Sequence, residues 1–217
     1  MIPLRDVIPS RTTPWVTMLL IAINVVVFIY ELTLDDRSLR QFFDTYGLVP
    51  AYFSWLTAFT AIFLHSGWLH IAGNMWSLWI FGDNVEDRMG HGRFLLFYLA
   101  SGVVSSLFHA SMMPGSPMPT IGASGAIAGV LGAYAFAFPR ARVLTLVPIF
   151  FFFQIIAIPA LVLLGIWFAF QFIAGTLSAG GSGGGVAWWA HIGGFVFGFL
   201  VMMLFSRRPR SQAEVVG

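Results

Sequence analysis

Long runs of apolar residues dominate the chain, and short segments rich in polar residues, glycine and proline separate them. A helix needs about 20 residues to cross the hydrocarbon core of a bilayer, and several runs approach that length. Proline stands at the start or just after the end of some runs, where helices tolerate it. The pattern predicts an all-α polytopic membrane protein with six transmembrane helices, over residues 14–30, 55–81, 94–112, 123–138, 159–177 and 186–205.

The remaining segments are predicted to lie outside the helices. Thr13 is expected to cap the first helix, and residues 31–54 form a long connector. Residues 143–158 are apolar but contain Pro148 and four consecutive phenylalanines, so their structure stays open, with the membrane interface as one option. Residues 180–185 are predicted as a glycine-rich linker. The expected organisation is a short N-terminus (1–13), a membrane domain (14–205) and a basic tail (206–217).

Composition excludes a water-soluble fold. Hydrophobic residues make up 58% of the chain and charged residues only 9%, whereas about a quarter of the residues of a soluble domain are charged. The first apolar run has no small-residue cleavage site behind it, which favours a retained helix over a signal peptide. Cysteine is absent from the sequence, so disulfides, thiolate catalysis and cysteine metal sites are excluded.

The positive charge comes entirely from arginine and indicates topology, not nucleic-acid binding. Arginines of short loops concentrate on the cytoplasmic side of membrane proteins. With both termini in the cytoplasm, only Arg37 and Arg40 lie outside, and the others lie inside. An even number of crossings is then required, and six fits. The inner arginines are Arg5, Arg11, Arg88, Arg93, Arg140, Arg142, Arg207, Arg208 and Arg210.

Few polar side chains interrupt the predicted helices, and each is a functional candidate because burying it in a membrane is costly. The second helix carries His70, Asn74 and Ser77 at helical spacing, which places them on one face. The fourth helix opens with the motif at residues 122–125, Gly-Ala-Ser-Gly, and the sixth carries His191 followed by two glycines. No carboxylate is expected within a span, which argues against an aspartyl protease and against an ion-coupled pump.

Counting from the inner ends of the helices places these motifs at one depth. Ser124 lies about 15 residues before the end of its helix and His191 about 16 residues before the arginines that follow its own, or ~22 and ~24 Å. His70 lies ~20 Å above the inner end of its helix. Against a hydrocarbon core of about 30 Å, serine and histidine are expected ~6–8 Å below the outer boundary.

These residue types suit acyl-transfer chemistry. Serine is a poor nucleophile without an adjacent base, and His191 is the intramembrane candidate for Ser124. Since no acid is available to orient the histidine, the hypothesis is a dyad. His70 and Asn74 could donate hydrogen bonds to an oxyanion, together with the backbone N–H of Ser124 at a helix start, while Gly122 keeps the backbone open to the substrate.

Small residues recur at intervals of four on the fourth and sixth helices, a pattern that lets helix backbones approach closely. We therefore expect these two helices to be in contact and His191 to reach Ser124. The positions are Ser124, Ala128 and Gly132 with Gly125 and Gly129 beside them, and Ala190, Gly194 and Gly198.

Four motifs resemble those of rhomboid proteases, in the same order along the chain. They are the His70-x-x-x-Asn74 pair, the Glu86-x-x-x-Gly90 turn, the Gly122–Gly125 string and the Ala190-His191-x-Gly-Gly block. The resemblance implies an intramembrane serine endopeptidase with a six-helix core. It implies Ser124 as nucleophile, His191 as general base, and His70 and Asn74 in the oxyanion hole. Membrane-anchored proteins, cut near the outer face, would be its substrates, without a metal or another cofactor.

The sequence departs from the family pattern at two places. The Trp-Arg dipeptide frequent in the first external loop is absent, so the anchor of the connector is not indicated. The residue four positions after the serine, frequently aromatic in the family, is Ala128, which leaves the packing partner of His191 unidentified.

Other polar residues and other functions fit the sequence less well. His65 is predicted as a loop residue, and a metal site with His70 is disfavoured because a third ligand is lacking. Ser105 and His109 share one helix face and are assigned to packing. A catalytically silent rhomboid-like protein that binds or escorts membrane clients is the alternative function, although the chain keeps both serine and histidine. A transporter would predict internal repeats and broken helices, and neither is found. Trp55, Trp68, Trp188 and Trp189 are predicted to form an outer aromatic belt.

Overall fold

The computed structural model describes residues 1–149, 152–178 and 186–206. Helices dominate this part of the chain, and a three-stranded sheet accompanies them. The elements in chain order are β1 (Ile2–Asp6), α1 (Trp15–Glu31), α2 (Asp36–Tyr46), α3 (Trp55–Thr60), α4 (Trp68–Met89), α5 (His91–Met112), α6 (Ser124–Ala137), β2 (Arg142–Ile149), β3 (Phe152–Pro159), α7 (Ala160–Ser178) and α8 (Trp188–Ser206), with 3-10 turns at Pro50–Tyr52 and Ala61–Phe63.

Three helices of the described residues, α5, α7 and α8, are long and apolar enough to cross a membrane. α1 and α6 are apolar but shorter. α4 has 22 residues, and its charged residues lie near its C-terminal end. The predicted helical membrane fold is therefore present at this coarser level, and the number of six crossings stays a prediction.

The predicted second helix, 55–81, is wrong as a continuous element. Ser54 caps the short helix α3 by accepting a hydrogen bond from the Leu56 N–H. A 3-10 turn and a loop follow before α4 begins at Trp68. In that loop the backbone N–H of His65 donates to the buried Glu31 carboxylate, 3.2 Å away. Because this contact joins distant parts of the chain, the apolar pattern could not indicate the break.

The expected Thr13 cap on α1 is also wrong. α1 begins after Pro14 without a side-chain cap from its own segment. Glu86 of α4, fully buried, accepts instead from the backbone N–H groups of Val16 and Thr17 at 3.0 and 2.8 Å. A carboxylate is favourable at this position because the first N–H groups of a helix are unpaired and carry the positive end of its dipole.

In the segment with the open assignment, 143–158, the described residues lie in two antiparallel strands. β2 pairs antiparallel with β3, and β1 pairs antiparallel with β2 on its other edge, so the sheet order is β1-β2-β3. The 31–54 connector contains the exposed helix α2, which Asp35 caps through the N–H groups of Arg37 and Ser38. The predicted linker 180–185 and nearly all of the predicted tail lie outside the described residues.

Helix α6 is the central element, since every residue from Gly125 to Ala135 is buried. Glycines bring it against α8 at the level of the backbone. A Cβ added at Gly194 would overlap the carbonyl oxygen of Gly125, and one at Gly198 would overlap that of Gly129. The predicted close contact of these two helices is therefore confirmed.

Candidate active site

The loop before α6 sets the position of Ser124. Gly122 has a φ of 124°, in the left-handed range that favours glycine. Its backbone N–H donates to the carbonyl of Ala61 at 2.9 Å, which ties the loop to the 3-10 turn before α4. α6 then begins at Ser124 itself. The half-buried serine thus lies at a helix N-terminus, where backbone N–H groups lack helical partners.

His191 lies in the first turn of α8 and faces this serine. Its Nε2 atom is 2.8 Å from the Ser124 Oγ, a normal hydrogen-bond distance. The imidazole is 9% exposed. The predicted meeting of the two residues, inferred from their equal depth, is present in the structure.

His191 contacts two residues of α7, Gln171 and Trp167, whose role was not predicted from the sequence. The Nδ1 atom of His191 lies 2.7 Å from Oε1 of Gln171, and the ring packs against Trp167 with 5.8 Å between centroids. The Trp188 ring also packs against His191, nearly perpendicular to the imidazole, with 6.3 Å between centroids. The packing partner that Ala128 could not provide therefore comes from another helix. A glutamine inside an apolar run was the available signal, because polar residues in spans are functional candidates.

His70 and Asn74 of α4 converge on the backbone at Gly122. A Cβ at Gly122 would lie 2.6 Å from His70 Nε2 and 3.6 Å from Asn74 Nδ2. The His70 Nδ1 atom is 3.4 Å from the backbone nitrogen of Ser66, which can only donate, so the ring proton belongs on Nε2. Asn74 Nδ2 is buried and has no hydrogen-bond partner among the described residues. Both side chains therefore direct donors toward the loop before Ser124.

His65 is a loop residue, as predicted, but it is buried. Its ring packs edge-on against His70 with 5.1 Å between centroids, and neither ring nitrogen has a partner in the described part of the chain. Burial, and to a lesser extent His70, lowers the pKa of His65 to about 4. Within the described ranges, no three His, Asp or Glu side chains are grouped so that they could hold a metal ion.

A small pocket opens beside Ser124. Its wall includes Ser105, which the sequence analysis assigned only to packing, and Thr120, whose hydroxyl is 3.1 Å from Nε2 of His109. Ser105 does pack as expected, because a Cβ at Gly125 would overlap its hydroxyl. Apart from Leu48, Ile62 and Ile121, the residues that line the pocket with Ser124 are small or weakly polar: Ala61, Gly102, Ser105, Ser106, Thr120, Gly122, Gly125, Ala187 and Ala190.

These features define a class of protein: a helical membrane protein in which a serine at a helix start is hydrogen-bonded to a buried histidine. Comparison with known proteins gives the family. The rhomboid domain model matches residues 52–208. The chain is 34% identical to Rhomboid protease GluP of Bacillus subtilis over 190 residues, and 29% identical to Rhomboid protein 1, mitochondrial, of Saccharomyces cerevisiae over 204 residues.

A third relative is Presenilin-associated rhomboid-like protein, mitochondrial, of Homo sapiens, 31% identical over 137 residues. The matches cover 86%, 90% and 61% of this chain, but only 34%, 54% and 36% of the respective relatives. The chain thus spans between about a third and about half of their lengths. It belongs to the rhomboid family, whose members are integral membrane proteins.

Proposed function

We propose that the chain is an intramembrane serine endopeptidase in which Ser124 is the nucleophile and His191 the general base. The observation that carries this proposal is the 2.8 Å distance between Ser124 Oγ and His191 Nε2. Serine needs such a base, because its hydroxyl is weakly nucleophilic at its own pKa. Membership of the rhomboid family supports the same assignment.

The reaction follows from this pair. Nε2 of His191 takes the hydroxyl proton as Oγ of Ser124 bonds to the carbonyl carbon of the scissile peptide, and the carbonyl electron pair moves onto its oxygen. When this tetrahedral species collapses, the C–N bond breaks and His191 returns the proton to the leaving amine. A water molecule then repeats the sequence on the acyl-enzyme, which releases the second product and restores the serine.

The negative oxygen formed in both steps requires donors. Nε2–H of His70, Nδ2–H of Asn74 and the backbone N–H of Ser124 are proposed to provide them, with Gly122 leaving room for the carbonyl. The unpaired Asn74 amide supports this role, because a buried donor without a partner normally costs about 1–3 kcal/mol. Donors placed in advance stabilise the transition state without reorganisation.

Single-pass or otherwise membrane-anchored proteins are the proposed substrates. A transmembrane helix hides its peptide groups in its own hydrogen bonds, so the segment to be cut has to unwind. The small residues around Ser124 favour a small side chain at the cut. Six crossings over the 14–205 membrane domain, with both termini in the cytoplasm, would open the site toward the outer side of the membrane.

Activity-based labelling of detergent-solubilised protein tests the proposal. Wild type should react with a fluorophosphonate probe and cleave a reporter transmembrane substrate, whereas Ser124→Ala and His191→Ala should each lose both. Ser111→Ala is the matched control, because Ser111 is exposed on α5 and its hydroxyl bonds only locally. Cleavage that persists in Ser124→Ala would overturn the assignment.

The same assay addresses the substrate and the alternative function. A reporter with a small residue at the cut and glycine or proline in its helix should be cleaved faster than a stiff poly-leucine reporter, and equal rates would contradict the proposed unwinding. Wild type that binds reporters but neither labels nor cleaves would instead favour a silent escort protein.

A further inference from the structure

Gln171 interrupts an otherwise apolar stretch of α7 and is nearly fully buried, with 4% of its surface exposed. Its carboxamide oxygen is 2.7 Å from Nδ1 of His191, on the opposite side of the ring from Ser124. The three polar groups therefore form one line: the Gln171 amide, the imidazole and the serine hydroxyl. A glutamine in a membrane helix is costly unless it has a partner, and His191 is that partner.

Resting on the proposed function, we infer that Gln171 is a positioning residue that holds His191 in the tautomer required of a base. A carboxamide oxygen can only accept a hydrogen bond, so the ring nitrogen facing it carries the proton. The Nε2 lone pair then points at the Ser124 hydroxyl, where it can receive the proton of the nucleophile. In the other tautomer Nε2 would already be protonated and could not act as a base.

The surroundings of the imidazole explain why an amide suits this position. Trp167 lies one helical turn before Gln171 on the same face of α7. Its ring is tilted by 34° against the imidazole, and the Trp188 ring packs edge-on. The site is therefore largely apolar, so a carboxylate on α7 would be stabilised there mainly when the imidazole beside it is protonated. An uncharged acceptor selects the same tautomer without a buried charge.

The orientation of the amide distinguishes this role from simple packing. If the amide nitrogen faced the ring, it would donate to Nδ1, the proton would sit on Nε2, and Gln171 would oppose catalysis. A side chain that can only accept should therefore preserve activity, and one that can neither accept nor donate should impair it.

Two substitutions and one control test the inference. Gln171→Met keeps the length of the side chain and removes the acceptor, so kcat should fall about 10- to 100-fold with little change in KM. The loss stays below the ~10⁴-fold seen when the wrong tautomer is enforced, because methionine leaves both tautomers accessible. Thr176→Val removes another polar group from α7, on its exposed face, and should leave kcat and KM as in wild type.

Gln171→Glu tests the same inference through the pH dependence of kcat, which should not change if Gln171 served only in packing. A carboxylate accepts from Nδ1 and favours the protonated imidazole, which cannot serve as base. Activity at high pH should therefore persist within about tenfold of wild type, and the acidic limb of the kcat profile should move to higher pH. This measurement stands even where Gln171→Met folds poorly.

The outcomes separate this inference from the proposed function. Normal kcat in Gln171→Met, an unshifted pH profile in Gln171→Glu, or a fall in melting temperature alone would each overturn the positioning role, while Ser124-dependent labelling of wild type would still support the protease. Absence of that labelling in wild type would instead remove the proposed function itself.

Discussion

At the scale of single residues, the least explained group in the site is the Asn74 amide. Its Nδ2 is buried without a partner in the described residues, although His70 beside it is held by Ser66. Both side chains point toward Gly122. An unpaired buried donor is expensive in a structural role and useful in an oxyanion hole, where its partner forms only during the reaction.

We therefore predict that Asn74→Ala and His70→Ala each lower kcat by about 10²- to 10³-fold, the usual effect of removing one oxyanion donor. KM should hardly change, because the substrate carbonyl carries no developed charge in the ground state. Measurements of kcat, KM and melting temperature for both variants would check this. Ser77→Ala, on the same helix face, is the control and should retain kcat. Normal kcat in a destabilised Asn74→Ala protein would assign both residues to helix packing instead.

The principal residues of the site could be predicted from the sequence because polar side chains in apolar helices are few. Ser124 and His191 were paired by their matched depth, by the small-residue pattern of their helices and by the family resemblance, and the structure brings their side chains together. Gln171 and Trp167 were not predicted. Gln171 marks one face of α7 as polar, but the contact with His191 also depends on how α7 is rotated against α8, which a nearly uniform apolar pattern does not determine.

At the scale of elements, the Ser124–His191 distance depends on the contact between α6 and α8. The two helices touch through glycines, and Phe195 brings its backbone carbonyl to the position that a Cβ of Gly132 would occupy. Small-residue contacts of this kind let backbones approach closely. Any side chain added there must push the helices apart, and the Ser124 and His191 side chains with them.

Gly198→Ala should therefore lower both stability and turnover. Its Cβ would overlap the carbonyl of Gly129, so the backbone has to move, at a typical cost of about 1–3 kcal/mol for overpacking. Gly165→Ala is the matched control, because the added Cβ would meet no other helix or side chain of the described residues within 4 Å and alanine favours the helix. Melting temperature and kcat in detergent would be measured for both. Equal behaviour of the two variants would mean that the helix contact does not fix the distance.

Element boundaries were predictable where composition changes and unpredictable where tertiary contacts decide. α5 and α8 lie close to their predicted ranges. The break before α4 was missed because it rests on the contact between Glu31 and His65. The strands β2 and β3 were not predicted, because Pro148 and four consecutive phenylalanines break the apolar run, because apolar residues on both strand faces give no alternation, and because β1 joins them from the other end of the sequence.

At the scale of the whole molecule, the N-terminal segment fastens the helices on one side of the bundle. Asp6 of β1 accepts hydrogen bonds from the Tyr134 hydroxyl of α6 and the Asn84 amide of α4, at 2.6 and 2.8 Å. Nearby, the indole N–H of Trp76 donates to the carbonyl of Pro3 at 2.7 Å. The strand β1 thus contacts α4, α6 and the rest of the sheet, although it lies far from both helices in the sequence.

The charge of Asp6 makes this connection dependent on pH. Burial raises the pKa of Asp6 above its ordinary value of 3.8; the Tyr134 hydroxyl opposes the shift, and the Asp83 carboxylate adds to it. A carboxyl with a raised pKa in the folded state contributes its full stability below the unfolded value and loses it as pH rises through the folded value. The ionised Asp6 carboxylate therefore stabilises the contact of β1 with the helices less at neutral pH than the protonated carboxyl does in mild acid.

Asp6→Asn should remove this dependence, because an amide oxygen can still accept from Tyr134 and Asn84 and carries no charge. At neutral pH the variant should melt ~2–4 °C higher than wild type, a shift typical of a small stabilisation in a chain of this size. The difference should shrink as pH falls and vanish below 3.8, where Asp6 is protonated in both the folded and the unfolded chain. Melting curves across this range, with Asp44→Asn on the exposed surface of α2 as control, would check the expectation. A difference that is independent of pH, or a variant that is less stable at neutral pH, would show that the carboxylate itself holds the strand.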